Sequence, residues 1–154
     1  MIVPRFEPFP GIRYRADELD LAAVTAPPYD VISPADRAAL AGRDPRNVVA
    51  IDLPVEGDDP YATAAGVFAR WQAEGVLAQD APSFYVYRMD YRDESGRARH
   101  TTGVMGALEL SRPGEGGILP HEHTTPKAKS DRLNLLRATR ANLSPVWVCR
   151  RPAA

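Results

Sequence analysis

Ser83-Phe84-Tyr85-Val86-Tyr87-Arg88-Met89-Asp90-Tyr91-Arg92 decides the fold class of this 154-residue chain. The stretch is aromatic-rich and two-fold in period, as a strand requires, and Asp80-Ala81-Pro82 leads into it. Asp93-Glu94-Ser95-Gly96 offers a turn, and residues 98–110 return as a second strand, giving a long antiparallel hairpin. Gly103 and Gly106 inside the return predict a bulge or a close backbone approach. Immediately upstream, Asp58-Asp59-Pro60 caps a helix. Its Tyr61, Ala64, Ala65, Phe68 and Trp71 share one apolar face, and Gly75 stops it. A hairpin next to a helix, without regular strand–helix alternation, is an α+β pattern.

Farther out the signals shorten. Pro4, Pro8 and Pro10 bar regular pairing at the start, leaving 12–15 as a short edge strand. Residues 17–24 fit a helical turn or an extended approach equally well. Ala26-Pro27-Pro28-Tyr29-Asp30-Val31-Ile32 is stiffened by its prolines, which presents Tyr29 and Asp30 at fixed positions. Ser33-Pro34-Ala35-Asp36 is a helix start, and Gly42 is the expected stop. Residues 47–53 read as a buried strand closed by Pro54, residues 130–140 as a helix, and 145–150 as a last strand. Asn142 suits a left-handed position after that helix. The expectation is one domain over 1–154: a mixed sheet with the long hairpin and about three helices.

Composition narrows the function. The chain is 44% hydrophobic and 25% charged, with net charge −1, so no global field holds nucleic acid or an anionic membrane. The single Cys149 excludes an internal disulfide and a cysteine zinc cluster. No apolar run reaches the ~20 residues of a membrane span, and the first residues lack a signal-peptide layout, so a cytoplasmic protein is expected. A homodimer stays open.

The chemistry concentrates in Leu119-Pro120-His121-Glu122-His123-Thr124-Thr125-Pro126-Lys127-Ala128-Lys129-Ser130-Asp131-Arg132. Lys127, Lys129 and Arg132 crowd a helix start, where the macrodipole disfavours cations, and that arrangement makes sense if an anion such as phosphate sits among them. Glu122 is placed to move a proton, with His121 or His123 to orient it. The plainer reading is a solvated loop in which Glu122 pairs with a lysine, and it weighs about as much. A metal on His-x-His is the weaker third reading, and the spacing is not that of a helical zinc protease. Asp30 and Asp52 are weak magnesium candidates, each explained slightly better as a turn or capping carboxylate. No P-loop and no Gly-x-Ser-x-Gly elbow occurs. Tyr61, Phe68 and Trp71 are read as core, and Cys149 as inert.

The chain resembles the family catalogued as domain of unknown function 1015. The matching pieces are Pro8-Phe9-Pro10-Gly11-Ile12-Arg13-Tyr14, Ala26-Pro27-Pro28-Tyr29-Asp30-Val31-Ile32-Ser33, Asn47-Val48-Val49, the Trp71 helix, and Tyr85-Val86-Tyr87. Most specific is Pro120-His121-Glu122-His123-Thr124, running through Lys129-Ser130-Asp131-Arg132-Leu133 to Ala141-Asn142-Leu143-Ser144-Pro145. Family members look longer, so this chain is similar to their N-terminal part. The family is more distantly similar to the ParB/sulfiredoxin-like group of nucleotide-binding clamps and free-serine kinases. That similarity implies a nucleotide, ADP or ATP with magnesium, and a small-molecule hydroxyl as substrate. Glu122 and His121 would be catalytic. His123, Thr124, Lys127, Lys129, Asp131, Arg132 and Asn142 would hold phosphate or nucleotide. The alternative is a regulatory module that responds to nucleotide or binds a partner without turnover.

Overall fold

The computed structural model describes residues 4–55, 57–112, 115, 118–119 and 124–148. Among them are six short strands: β1 (Phe6–Glu7), β2 (Ile12–Tyr14), β3 (Leu77–Gln79), β4 (Tyr85–Arg92), β5 (Ala98–Met105) and β6 (Ala107–Leu108). The α-helices are α1 (Leu21–Val24), α2 (Pro34–Arg43), α3 (Val49–Asp52), α4 (Pro60–Ala73) and α5 (Pro126–Thr139), with a 3-10 turn at Tyr29–Val31. The architecture is α+β. Instead of one mixed sheet, the strands pair as β1–β6, β2–β3 and β4–β5. The chain forms two compact units, Met1–Arg13 with Ala78–His123 and Tyr14–Leu77 with Thr124–Ala154.

The first unit is built on the hairpin. β4 and β5 pair antiparallel from Tyr85↔Met105 to Arg92↔Ala98. Asp93 Oδ1 holds the turn by accepting from the Ser95 and Arg97 amides. The return strand does not run unbroken to 110. It breaks at Gly106, where a Cβ would meet the Phe6 ring and sit 3.0 Å from the Glu7 carbonyl, so the predicted close approach is there. The Tyr85 hydroxyl accepts from the Gly11 amide and donates to Asp80, which also takes Arg13. Phe6 stacks on Phe84 with ring centres 5.4 Å apart.

The second unit carries the helical core. Ala64, Phe68 and Trp71 on α4 are buried together with Val24, Leu40, Val49, Ile51 and Leu135. Ser33 and Asp36 close a capping box at α2, and Asp59 caps α4 ahead of Pro60. Gly75 ends that segment at φ 75°, where glycine carries no Cβ penalty.

Several expectations are corrected here. Residues 47–53 are not a strand: buried Asn47 gives its amide to the Ala23 and Thr25 carbonyls, and its Oδ1 accepts from Val49, where α3 begins. A short apolar run cannot distinguish a buried helical turn from a strand. Gly42 does not stop α2, which runs to Arg43. α5 begins at Pro126, four residues early, because Thr125 is its cap. The left-handed residue after it is Arg140, at φ 57°, and not Asn142. Residues 145–148 form no strand, and 149–150 lie outside the described residues.

Candidate functional site

Three of the predicted residues, Asp52, Asp131 and Arg132, come together in the second unit. Thr125 Oγ1 accepts from the Ala128 amide and sets the phase of α5. Lys127 and Lys129 then point to solvent, while Asp131 and Arg132 turn inward. Arg132 Nη1 donates to Asp52 Oδ1 at 2.6 Å, and Nη2 donates to the Asp52 carbonyl at 2.8 Å. On the other side, Nε and Nη2 donate to Asp131 Oδ2 at 2.9 and 2.6 Å. The guanidinium lies over the Tyr29 ring, 3.9 Å from its centre, a cation–π geometry. The Tyr61 hydroxyl donates to Asp131 Oδ1 at 2.8 Å. One cation thus ties the Pro-Pro-Tyr motif, the end of α3, the start of α4 and the second turn of α5.

Its electrostatics follow from burial. The Arg132 side chain is only 17% exposed and that of Asp52 19%. Burial raises the Asp52 carboxyl above the ordinary range; Arg132 pulls it back only in part, and Asp131 adds to the rise. Burial also works against the Arg132 charge, but Asp131 and Asp52 together more than compensate and raise it. The hydrogen bond to Asp131 raises the Tyr61 phenol, since that bond is made by the protonated form. Two carboxylates share one guanidinium, so the cluster carries one surplus negative charge. The anion expected beside Arg132 is therefore supplied by the chain itself.

The other predicted residues fall elsewhere. His121, Glu122 and His123 lie outside the described residues. Thr124 is exposed. Lys127 and Lys129 have no acid within ion-pair distance among the described residues. Asp30 is exposed in the 3-10 turn, one residue from Tyr29. Asn142 is exposed, and its Oδ1 accepts from the Ser144 amide. Among the described residues no three His, Cys, Asp or Glu gather as a metal cage. Tyr61 was missed as a site residue: it belongs to the apolar stripe of α4, and only its place in the first helical turn signals that its hydroxyl reaches out of the core. A separate hollow of about 260 Å³ lies along Arg37, Ala41, Asn47, Ala50, Thr63 and Val67. Its buried Asn47 is already spent on backbone groups.

What this arrangement can do is hold α5 in a fixed position, with two exposed lysines in its first turn and a perturbed carboxylate beside it. Such perturbed groups concentrate at functional sites. No curated protein and no solved structure matches the chain. The family model described as "Protein of unknown function (DUF1015)" matches residues 6–154, and the chain belongs to that family.

Proposed function

We propose that this domain binds a nucleotide or a similar phosphorylated small molecule at the start of α5, and transfers phosphate to a small-molecule hydroxyl with Glu122 as base. The observation that supports this is the Tyr29–Arg132–Asp52–Asp131–Tyr61 cluster. It fixes the orientation of a helix whose first turn carries Lys127 and Lys129, neither of which is within ion-pair distance of an acid among the described residues. The helix dipole and the two lysines then favour one anion, with the Lys127 N–H as the backbone donor left there, since Pro126 has none and Thr125 takes Ala128. His121 would orient Glu122, while His123 and Thr124 would complete the phosphate contacts; Asn142 follows the opposite end of α5, about 20 Å away, and takes no part. Arg132 could join them only by giving up one of its acids, so on this reading its main task is to position the helix.

Magnesium would come with the nucleotide. Such an ion asks the protein for one or two carboxylates and takes its other ligands from phosphate and water. Asp52, with Asp30 as the weaker candidate, would hold it, and its charge would neutralise phosphate. The ParB/sulfiredoxin-like resemblance points the same way and belongs to this proposal.

The test is a thermal-shift panel of ADP, ATP, CTP, serine and magnesium, followed by turnover assays. A nucleotide at 100 times its dissociation constant should stabilise the protein by about 2.7 kcal/mol. Lys127→Ala/Lys129→Ala should abolish that shift, and Glu122→Gln should lose turnover while keeping it. No shift with any nucleotide would refute the binding reading. Full turnover in Glu122→Gln would refute the base. The saturation of Arg132 by its own acids favours a second reading, a nucleotide-responsive regulatory module, in which the shift appears and no product forms.

A further inference from the structure

The β4–β5 hairpin is a two-stranded ladder of eight facing pairs, from Tyr85↔Met105 to Arg92↔Ala98, with no third strand beside it among the described residues. Two strands alone are marginal in water. Natural edges are blunted by proline, bulges or charged side chains; β4 has neither proline nor bulge, and its charges are of both signs, Arg88, Asp90 and Arg92. The hairpin also exposes large apolar side chains: Val86 is 75% exposed and Val104, directly opposite, 57%, with Met89 and Tyr91 open as well.

The outer row of β4 has a definite pattern. The Asp93 amide donates to the Arg97 carbonyl, which sets the phase of the ladder. By antiparallel alternation, Tyr85, Tyr87, Met89 and Tyr91 turn their backbone groups toward β5, while Val86, Arg88, Asp90 and Arg92 turn theirs outward. A second β4 running antiparallel must pair these outward residues with one another. Three central registers satisfy that requirement. Centring on Arg88 sets Arg88 against Arg88. Centring on Asp90 sets Asp90 against Asp90 and Arg88 against Arg92. Centring on Met89 sets Arg88 against Asp90 twice and Val86 against Arg92 twice, with no like charges facing. Opposite charges across strands stabilise the pairing and like charges oppose it. Of these three central registers only the one through Met89 faces no like charges, and it has the two-fold symmetry that such an interface requires.

We propose that a second copy of this chain pairs along β4 about a two-fold axis through Met89, giving a four-stranded sheet β5–β4–β4–β5. Arg88 and Asp90 already lie 2.8 Å apart within one strand, with both side chains more than half exposed, so the facing copy meets a preformed alternating row. On the other face, Met89 meets Met89, and Tyr87 faces Tyr91. This inference does not rest on the phosphate reading.

The test is sedimentation of the full chain over a wide concentration range, with three variants and a cross-link. Arg88→Asp places acid against acid and should weaken dimerisation at least about tenfold. Asp90→Arg should do the same, and the double swap Arg88→Asp/Asp90→Arg should restore it. Circular dichroism of each variant checks that it folds. In a Cys149→Ser background, Met89→Cys should oxidise to a covalent dimer, since facing residues of that pair type lie about 4.5 Å apart. Tyr91→Cys should not, because the two-fold separates its copies by roughly 13 Å. A monomer at every concentration up to about millimolar overturns the proposal, as does a dimer indifferent to Arg88→Asp or one cross-linked through Tyr91→Cys.

Discussion

Arg132 is shared by two carboxylates, so deleting it leaves Asp52 buried without its cation. Arg132→Met should cost about 3 kcal/mol at neutral pH, the order expected for breaking a buried pair from one side. The sign of its pH dependence follows from Asp52. Burial already raises that carboxyl, and without Arg132 it rises further. The folded variant then keeps a proton that the unfolded chain has released, so its stability falls as pH rises through that raised range. The deficit against wild type should be largest at pH 7 and shrink toward pH 4.5, as measured by urea unfolding. Asp52→Asn in the same background should flatten the trend. The sequence marks Asp52 as a weak magnesium candidate and Asp131 and Arg132 as phosphate candidates, each by itself. Their engagement with one another was not legible, because residues 80 apart carry no local sign of facing each other. Tyr61 was hidden by its own periodicity: a tyrosine in an apolar stripe reads as core until its hydroxyl finds a partner.

Elements are governed by smaller residues, and two glycines make the contrast. Gly106→Ala should destabilise the protein by about 1–3 kcal/mol and loosen β1–β6, because its Cβ would meet the Phe6 ring and the Glu7 carbonyl. Gly42→Ala should stabilise it by up to about 1 kcal/mol, because Gly42 lies inside α2 with open space around it. Chemical denaturation reads both; a neutral Gly106→Ala would discount the close approach. The same pair shows what patterns convey. The hairpin and α4 were legible from their periods and turn residues, since those signals repeat over many residues. Gly42 was read as a stop although its helix continues one residue further to an extended Asp44. The segment 47–53 departs from its strand-like pattern because Asn47, a polar residue at its start, ties the carbonyls at the end of α1 and does not open a strand.

For the whole molecule, the division into two units localises any ligand effect. If the start of α5 binds nucleotide, hydrogen exchange with saturating ADP or ATP should slow within 14–77 and 124–148, above all along α5 and the end of α3. Exchange across β4 and β5 should stay unchanged at concentrations where the chain is monomeric. Protection confined to the hairpin would place the ligand elsewhere. The overall class was legible as α+β because helix and hairpin signals sit side by side in the sequence. The pairing of strands into three small ladders was not, because short edge segments carry too few residues to specify their partners. The second unit is also discontinuous, since α4 packs on α5 across a long intervening stretch. On the ribosome, Trp71 emerges roughly 60 residues before Leu135, a delay of about 3–12 s at ordinary elongation rates. During that interval the nascent α4 presents a hydrophobic flank with its cover not yet translated, which makes this window the one in which a chaperone would find the chain.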